Sequence, residues 1–319
     1  MCIKMSIQRR KVTVIGTGFV GASIAYTIAA RHLAYELVLI DINSEKAIGE
    51  AADISHALPV FGSMDINAGE YKDVKDSDII IVTAGVNRRP GETRLDLAGK
   101  NVAITKGIIT EVMKYYNDGI FIVVSNPVDV LTTMITKWTG LPASKVIGSG
   151  TSLDTIRFKQ SLYSLFNVDV KDLNAVVIGE HGETQFPFWS QANIAGTPIT
   201  EIKTIFGQKL TEDDMTDIAD TVKTSGAQII KNKGATYFGV ASAVSDIVDS
   251  ILNNKNAILT VGMNKEEIYG YKDVALSVPR VVGAEGIIRD LEIVLTAEEE
   301  EKLNKSAENI YQITKEFIE

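Results

Sequence analysis

The sequence predicts an α/β protein with a doubly wound parallel sheet in its first half, followed by an α+β second half. Three observations predict it. From Lys11 to Gly148, short apolar runs alternate with helical patterns, giving six strand candidates. The first run ends in a glycine-spaced turn, and the second ends in an aspartate. Beyond Gly148 the alternation stops, and helical stretches precede and follow two β runs. A chain of 319 residues exceeds the usual single-core size, so two units are expected, residues 1–148 and 149–319.

The first run is Lys11-Val12-Thr13-Val14-Ile15, and it ends at Gly16-Thr17-Gly18-Phe19-Val20-Gly21. A helical pattern leaves Val20 and continues through Ile24, Ala25, Ile28 and Ala29. Strand, G-x-G-x-x-G and helix make the Rossmann dinucleotide fingerprint. Gly16 makes the tight turn, Gly18 lets backbone approach a pyrophosphate, and Gly21 lets helix and strand pack closely. The helix N-terminus then faces the phosphates. The second run, Glu36 to Ile40, ends in Asp41, twenty residues after Gly21. An aspartate there accepts from both ribose hydroxyls and repels the 2′-phosphate of NADP, so NAD is the expected cofactor. A glycine fingerprint alone also fits a methyltransferase binding S-adenosylmethionine; the terminal Asp41 favours the dinucleotide.

Further strands are expected near Ile66 to Ala68, Ile79 to Thr83, Ile120 to Val124 and Val146 to Ile147. Helices are expected over Glu45 to Ala57, Leu95 to about Tyr116 and Val130 to Trp138. In the second half the pattern gives a helix from Leu153 to Phe166 and a β run Val176-Val177-Ile178. A long helical stretch follows from Asp213 to Asn253, kinked at Lys233-Gly234. Ile258 to Val261 and Val274 to Val281 read as antiparallel strands. Leu303, Ala307, Ile310 and Phe317 mark a terminal helix whose charged first turn is Glu298 to Glu301.

The net charge of −9 argues against a nucleic-acid or anionic-membrane surface. The single cysteine, Cys2, excludes an intrachain disulfide and a cysteine metal cluster, and no metal is expected. No run reaches transmembrane length and no apolar segment of signal-peptide length precedes Lys11, so a cytoplasmic protein is expected.

Against that acidic background, the loop after the fourth strand carries three arginines, Arg88, Arg89 and Arg94. Loops at the carboxyl ends of parallel strands are where open α/β sheets place ligands, which suggests an anionic small molecule. A solvated basic loop fits the residues equally. Of the three histidines, His32 and His56 read as structural or solvated, whereas His181 is bracketed by Gly179-Glu180 and Gly182 after a buried strand. Asp154 and Arg157 share a helix face and are either a surface ion pair or functional groups. In the functional reading, Asp154 holds and charge-stabilises the imidazolium of His181. Arg157 then takes a substrate carboxylate bidentately, and Arg94 polarises a carbonyl.

The fingerprint, Pro90-Gly91-Glu92-Thr93-Arg94, Ser125-Asn126-Pro127-Val128-Asp129, Asp154 with Arg157, and Gly179-Glu180-His181-Gly182 occur in one order along the chain. In this the chain resembles the L-lactate/malate dehydrogenase family along nearly its whole length. The resemblance implies NAD-dependent interconversion of a 2-oxo acid and its L-2-hydroxy acid, with His181 as proton donor. It implies that Asn126 contacts nicotinamide and substrate, that Ser149 holds the carboxamide and that Thr236 lines the pocket. The cofactor is expected against Gly16, Gly18, Phe19, Val20, Gly21, Asp41, Thr83, Ala84 and Gly85 as well. The loop carrying Arg88 and Arg94 is expected to close over the substrate, and the family suggests a homotetramer or dimer. An NAD sensor without turnover needs none of Arg94, Asp154, Arg157 and His181. A 3-hydroxyacyl-type dehydrogenase shares only the first half.

Most motifs look like the lactate branch, but Arg88 stands where such enzymes usually carry glutamine and malate dehydrogenases carry arginine. A guanidinium at about 4 Å from a second substrate carboxylate gives on the order of 4 kcal/mol at an effective dielectric of 20. Enclosing Arg88 unpaired over pyruvate costs roughly a few kcal/mol. Malate/oxaloacetate is therefore the expected pair, with L-lactate/pyruvate as the alternative. A second departure concerns regulation. Bacterial lactate dehydrogenases activated by fructose 1,6-bisphosphate resemble one another in an arginine and a histidine at the positions of Lys159 and Asn174. Lysine loses the bidentate fork and asparagine loses the charge. Adding the bisphosphate is expected to leave KM for the oxo acid essentially unchanged, and a large drop in KM would overturn this.

Overall fold

A computed structural model describes residues 10–86, 91 and 93–318. Six parallel strands build the sheet expected of the first half: β1 (Lys11–Ile15), β2 (Glu36–Ile40), β3 (Asp65–Ala68), β4 (Ile79–Val82), β5 (Ile120–Val123) and β6 (Val146–Gly148). Their spatial order is β3-β2-β1-β4-β5-β6, so the direction of winding reverses between β1 and β4. Each central strand is apolar on both faces because helices cover both. In β4, Ile79 and Ile81 join one core while Ile80 and Val82 join the other.

The first core lies under α1 (Phe19–Ala30) and α2 (Ser44–Ser55). The second lies under α4 (Arg94–Val112) and α5 (Val128–Thr139), and the short α3 (Leu58–Phe61) follows α2. Thr93 and Asp96 cap each other reciprocally at the start of α4, which fixes where the helix begins after the arginine loop.

The second half opens with α6 (Ser152–Phe166) and short strands β7 (Leu173–Asn174), β8 (Val177–Ile178), β9 (Phe186–Pro187), β10 (Asn193–Ile194) and β11 (Thr197–Pro198). The stretch expected to be one kinked helix is two helices, α7 (Glu212–Lys233) and α8 (Phe238–Leu252). Gly234 ends α7 at φ 87°, a left-handed conformation that stops the helix instead of bending it. The break lets α8 turn back and pack on α1 in the first core, where Arg31 pairs with Asp249 at 2.7 Å.

The antiparallel strands are longer than the sequence suggested, β12 (Ala257–Ile268) and β13 (Tyr271–Gly283), and a third, β14 (Gly286–Asp290), follows. They do not form a separate sheet. β12 pairs with β6 at Gly262 and Gly148, giving nine strands in the order β14-β13-β12-β6-β5-β4-β1-β2-β3. At Gly148 a Cβ would fall 2.5 Å from the Thr132 hydroxyl of α5, so glycine there lets α5 pack against the end of β6. The terminal helix α9 (Ala297–Thr314) carries the glutamates in its first turn, as expected, and packs on β13. No helix among the described residues is long and apolar enough to cross a membrane.

Candidate active site

The cofactor side of the site is built at the carboxyl edge of the parallel strands. The turn after β1 shows the closest packing. A Cβ on Gly21 would fall 1.8 Å from the carbonyl oxygen of Gly16, and one on Gly16 would fall 2.7 Å from the amide nitrogen of Ala84. At Gly18 a Cβ would meet nothing within 4 Å, so that backbone is open to a ligand. Asp41 closes the turn by accepting from the Thr17 amide at 2.7 Å and the Thr17 hydroxyl at 3.0 Å. Burial raises its pKa, but the bonds from Asn43 and Thr17 outweigh that and hold the carboxyl below its ordinary value. The turn therefore fits a dinucleotide: a tight glycine cradle, an open Gly18, and an ionised carboxylate with acceptor capacity for a ribose.

Thr83 spends its hydroxyl on the Gly16 carbonyl at 2.7 Å, and Ser125 spends its own on Ala84 at 2.7 Å. Phe19 is 70% exposed and stacks on Tyr237 between α7 and α8, with ring centroids 5.4 Å apart.

Beside this turn lies a cavity of about 430 Å³. Val20, Thr83 and Gly85 line it from the cofactor side, and Asn126 and Ser149 line it from the ends of β5 and β6. Asp154, Arg157, His181 and Thr236 line it from the second half. Gly16, Gly18, Phe19, Gly21, Asp41 and Ala84 are not part of its wall and belong to the neighbouring turn. Arg88, and Arg89 with it, lie outside the described residues, as does the side chain of Arg94, whose backbone opens α4. His32 and His56 are both exposed and remote from the cavity wall.

The reactive groups sit on α6 and on the segment after β8. Nδ1 of His181 is 2.7 Å from Oδ2 of Asp154, and Nη1 of Arg157 donates to Oδ1 of Asp154 at 3.0 Å. The Asp154 side chain is 1% exposed, Arg157 15% and His181 24%. The carboxylate is therefore sealed while both cations reach the cavity. Burial alone would raise the Asp154 carboxyl, but the charge and hydrogen bond of His181 and the charge of Arg157 hold it below its ordinary value. Burial pulls His181 down, yet Asp154 and then Asp129 more than offset this, and its pKa rises to about 8. With Nδ1 on an ionised carboxylate, Nε2 is the ring nitrogen left for a ligand.

The first turn of α6 is tied down on two sides. Thr151 donates to the Val177 carbonyl at 2.6 Å, Ser152 donates to the Thr260 carbonyl at 2.9 Å, and Thr155 meets the Thr260 hydroxyl at 2.9 Å. These bonds hold Asp154 against β8 and β12.

Two further residues bear on the site without a role from the sequence. Asn101, 2% exposed, ties the loop to β5: its Nδ2 donates to the Asn126 carbonyl at 2.7 Å, and its Oδ1 accepts from the Val86 amide at 2.8 Å. Asp129, 3% exposed, accepts from the backbone amide of His181 at 2.8 Å. Its place in Ser125-Asn126-Pro127-Val128-Asp129 was the only signal in the sequence, and that run says nothing about which neighbour the carboxylate meets. Across the cavity mouth, Lys223 of α7 pairs with Glu183 at 3.2 Å.

Two family models divide the chain between them. The lactate/malate dehydrogenase NAD binding domain matches residues 10–148, and the lactate/malate dehydrogenase alpha/beta C-terminal domain matches residues 151–319. The chain belongs to the lactate/malate dehydrogenase family. Its cofactor is NAD. An L-lactate dehydrogenase of Acetivibrio thermocellus is 47% identical over 306 residues, 96% of each chain. One of Thermoanaerobacterium saccharolyticum is 45% identical, covering 96% of this chain and 99% of its own. Among solved structures, the ligand-bound minor L-lactate dehydrogenase of Enterococcus mundtii superposes with a TM-score of 0.92 at 39% identity, over 98% of this chain and 99% of that one.

The cradle geometry separates two glycine substitutions. Gly21→Ala forces backbone atoms apart and is expected to lower both thermal stability and NADH affinity. Gly18→Ala is expected to cost less than about 1 kcal/mol of stability while weakening NADH roughly tenfold or more. Thermal unfolding and NADH fluorescence titration read both effects, and wild-type affinity in Gly18→Ala would mean that the cofactor does not approach this backbone.

Proposed function

We propose that the chain is an NAD-dependent L-lactate dehydrogenase, interconverting pyruvate and L-lactate. The observation that carries the reading is the sealed Asp154 carboxylate, with His181 on one oxygen and Arg157 on the other, both facing one cavity beside the dinucleotide turn.

Bound NAD supplies the hydride acceptor and, reduced, the hydride donor. Gly16, Gly18, Phe19, Val20 and Gly21 would hold it at the turn, with Asp41 at the ribose. Thr83, Ala84, Gly85, Asn126 and Ser149 form its further wall. Arg157 keeps one donor on Asp154 and offers the rest of its guanidinium to the substrate carboxylate, which fixes the 2-oxo carbon relative to His181. In the reducing direction Nε2 of protonated His181 gives its proton to the carbonyl oxygen. The Asp154 carboxylate keeps the imidazolium available for this and orients the ring through Nδ1. In the oxidising direction the neutral ring takes the proton back. Arg94 polarises the carbonyl, and Asn126 and Thr236 complete the substrate wall.

The expectation of malate rested on Arg88 alone. Relatives spanning nearly the whole chain at 45–47% identity carry the name L-lactate dehydrogenase, and they support pyruvate over oxaloacetate. Arg88 remains the specific feature favouring a malate dehydrogenase as the second reading. With NADH, kcat/KM for pyruvate is expected to exceed that for oxaloacetate by about tenfold or more. Steady-state rates with the two acids decide it, and the reverse preference would restore the malate reading.

The charge on His181 sets the pH dependence. Reduction needs the imidazolium, so kcat/KM for pyruvate should be level below neutrality and fall about tenfold per unit above the pKa of about 8. Oxidation needs the neutral ring, so kcat/KM for L-lactate should rise through the same range. Profiles that do not mirror each other would remove His181 from the proton step.

A further inference from the structure

Helix α7 brings a cation to the cavity that the reaction above leaves without a role. Lys223, Gly226, Ala227 and Ile230 all line the cavity, and their spacing puts them on one face of the helix. Gly226 lies against Arg157. A Cβ there would fall 3.4 Å from Nη2 of Arg157, so the guanidinium runs beside bare backbone. Lys223 stands one turn earlier on the same face, a rise of about 4.5 Å along the axis. Its ammonium is 3.2 Å from Oε2 of Glu183, which follows His181 by two residues and also lines the cavity.

The Lys223 side chain is 35% exposed and that of Glu183 is 55% exposed. An ion pair in that much water is weak, so a competing carboxylate can take the place of Glu183 on the ammonium. Lysine suits such an exchange, because its flexible stem carries rotatable donors and imposes no fixed angle of approach. With one carboxylate on Arg157, the second carboxylate of a four- or five-carbon oxo diacid would lie about one helical turn away. That is the offset between Gly226 and Lys223. Glycine at 226 also leaves the strip of α7 between the two cations without a side chain.

We propose that Lys223 is a specificity-determining residue that receives the distal carboxylate of 2-oxo dicarboxylic acids, and that Glu183 holds it back in their absence. With pyruvate the pair stays closed and its charges balance. With a diacid the ammonium leaves Glu183 for the second carboxylate, so the ratio of diacid to monoacid turnover depends on both residues. The proposal rests on the reading above at one point, that Arg157 takes the first carboxylate.

Steady-state reduction by NADH tests this on pyruvate, 2-oxoglutarate and 2-oxopentanoate, the last matching 2-oxoglutarate in length but ending in a methyl. Glu183→Gln is expected to raise kcat/KM for 2-oxoglutarate relative to pyruvate about tenfold, and Lys223→Gln to lower that ratio about tenfold. Lys223→Arg keeps the charge and should hold the ratio within about threefold of wild type. The ratio of 2-oxopentanoate to pyruvate should move less than about twofold in every variant, whereas a mere disturbance of α7 would shift it. The role of Lys223 is overturned if the 2-oxoglutarate ratio follows that of 2-oxopentanoate. It is also overturned if Glu183→Gln and Lys223→Gln do not move the ratio in opposite directions, or if neither wild type nor Glu183→Gln reduces 2-oxoglutarate. A wild type that reduces neither pyruvate nor 2-oxopentanoate would instead sink the dehydrogenase reading on which the proposal rests.

Discussion

One buried carboxylate organises the site. Asp154 is sealed from water, and a lone carboxyl there would give up its charge by taking a proton. It stays ionised because His181 and Arg157 each occupy one of its oxygens. The dependence runs both ways. Without Asp154 the ring has no fixed tautomer, and the guanidinium loses the contact that fixes its angle to the cavity. The hydroxyl bonds from Thr151, Ser152 and Thr155 are part of the same arrangement, since they prevent the first turn of α6 from moving away from β8 and β12.

Much of this was legible in the residues because it depends on local chemistry. Gly16 and Gly21 mark a turn that only glycine tolerates, with Gly18 left open to a ligand, and the 1.8 Å approach at Gly21 is the physical content of that spacing. Asp41 is readable because a strand ending in a carboxylate at that distance must meet the turn before it. The pairing of Asp154 with Arg157 follows from helical spacing. Their meeting with His181 does not, since 27 residues separate His181 from Asp154 and no periodicity spans the gap. Family order supplied that link. Asn101 and Asp129 stayed hidden for the same reason: each acts on a backbone group far along the chain, and the sequence does not show which face of α4 or α5 turns toward it.

The remaining misreadings have a common cause. The stretch from Asp213 to Asn253 keeps helical periodicity on both sides of Gly234, so pattern alone favours a kink. What decides for a break is tertiary: α8 buries Val244, Ile247 and Ile251 against α1, and no bend of α7 could deliver that face. β14 was missed because its partner is the already buried β13, and burial of one short strand leaves little alternation to read. The malate expectation rested on Arg88 alone, which lies outside the described residues, so nothing in the fold bears on whether that guanidinium is enclosed with the substrate.

The continuity of the sheet explains how one short segment serves both reactants. β5 ends at Val123, and the chain from Ser125 to Asp129 crosses the edge before α5 begins its second turn. On the cofactor side its backbone is fixed through Asn126 to Asn101 and the β4 loop. On the other side Asp129 reaches the His181 amide. That reach requires the segment after β8 to lie close to α5. It does so because β12 and β13 extend the parallel sheet past β6, and Gly179 forms an antiparallel bridge to Ser277 of β13. With β12 and β13 in a separate sheet, Asp129 would have no histidine to meet. The pairing of β12 with β6 therefore does more than join strands, because it brings the segment after β8 alongside the cofactor edge.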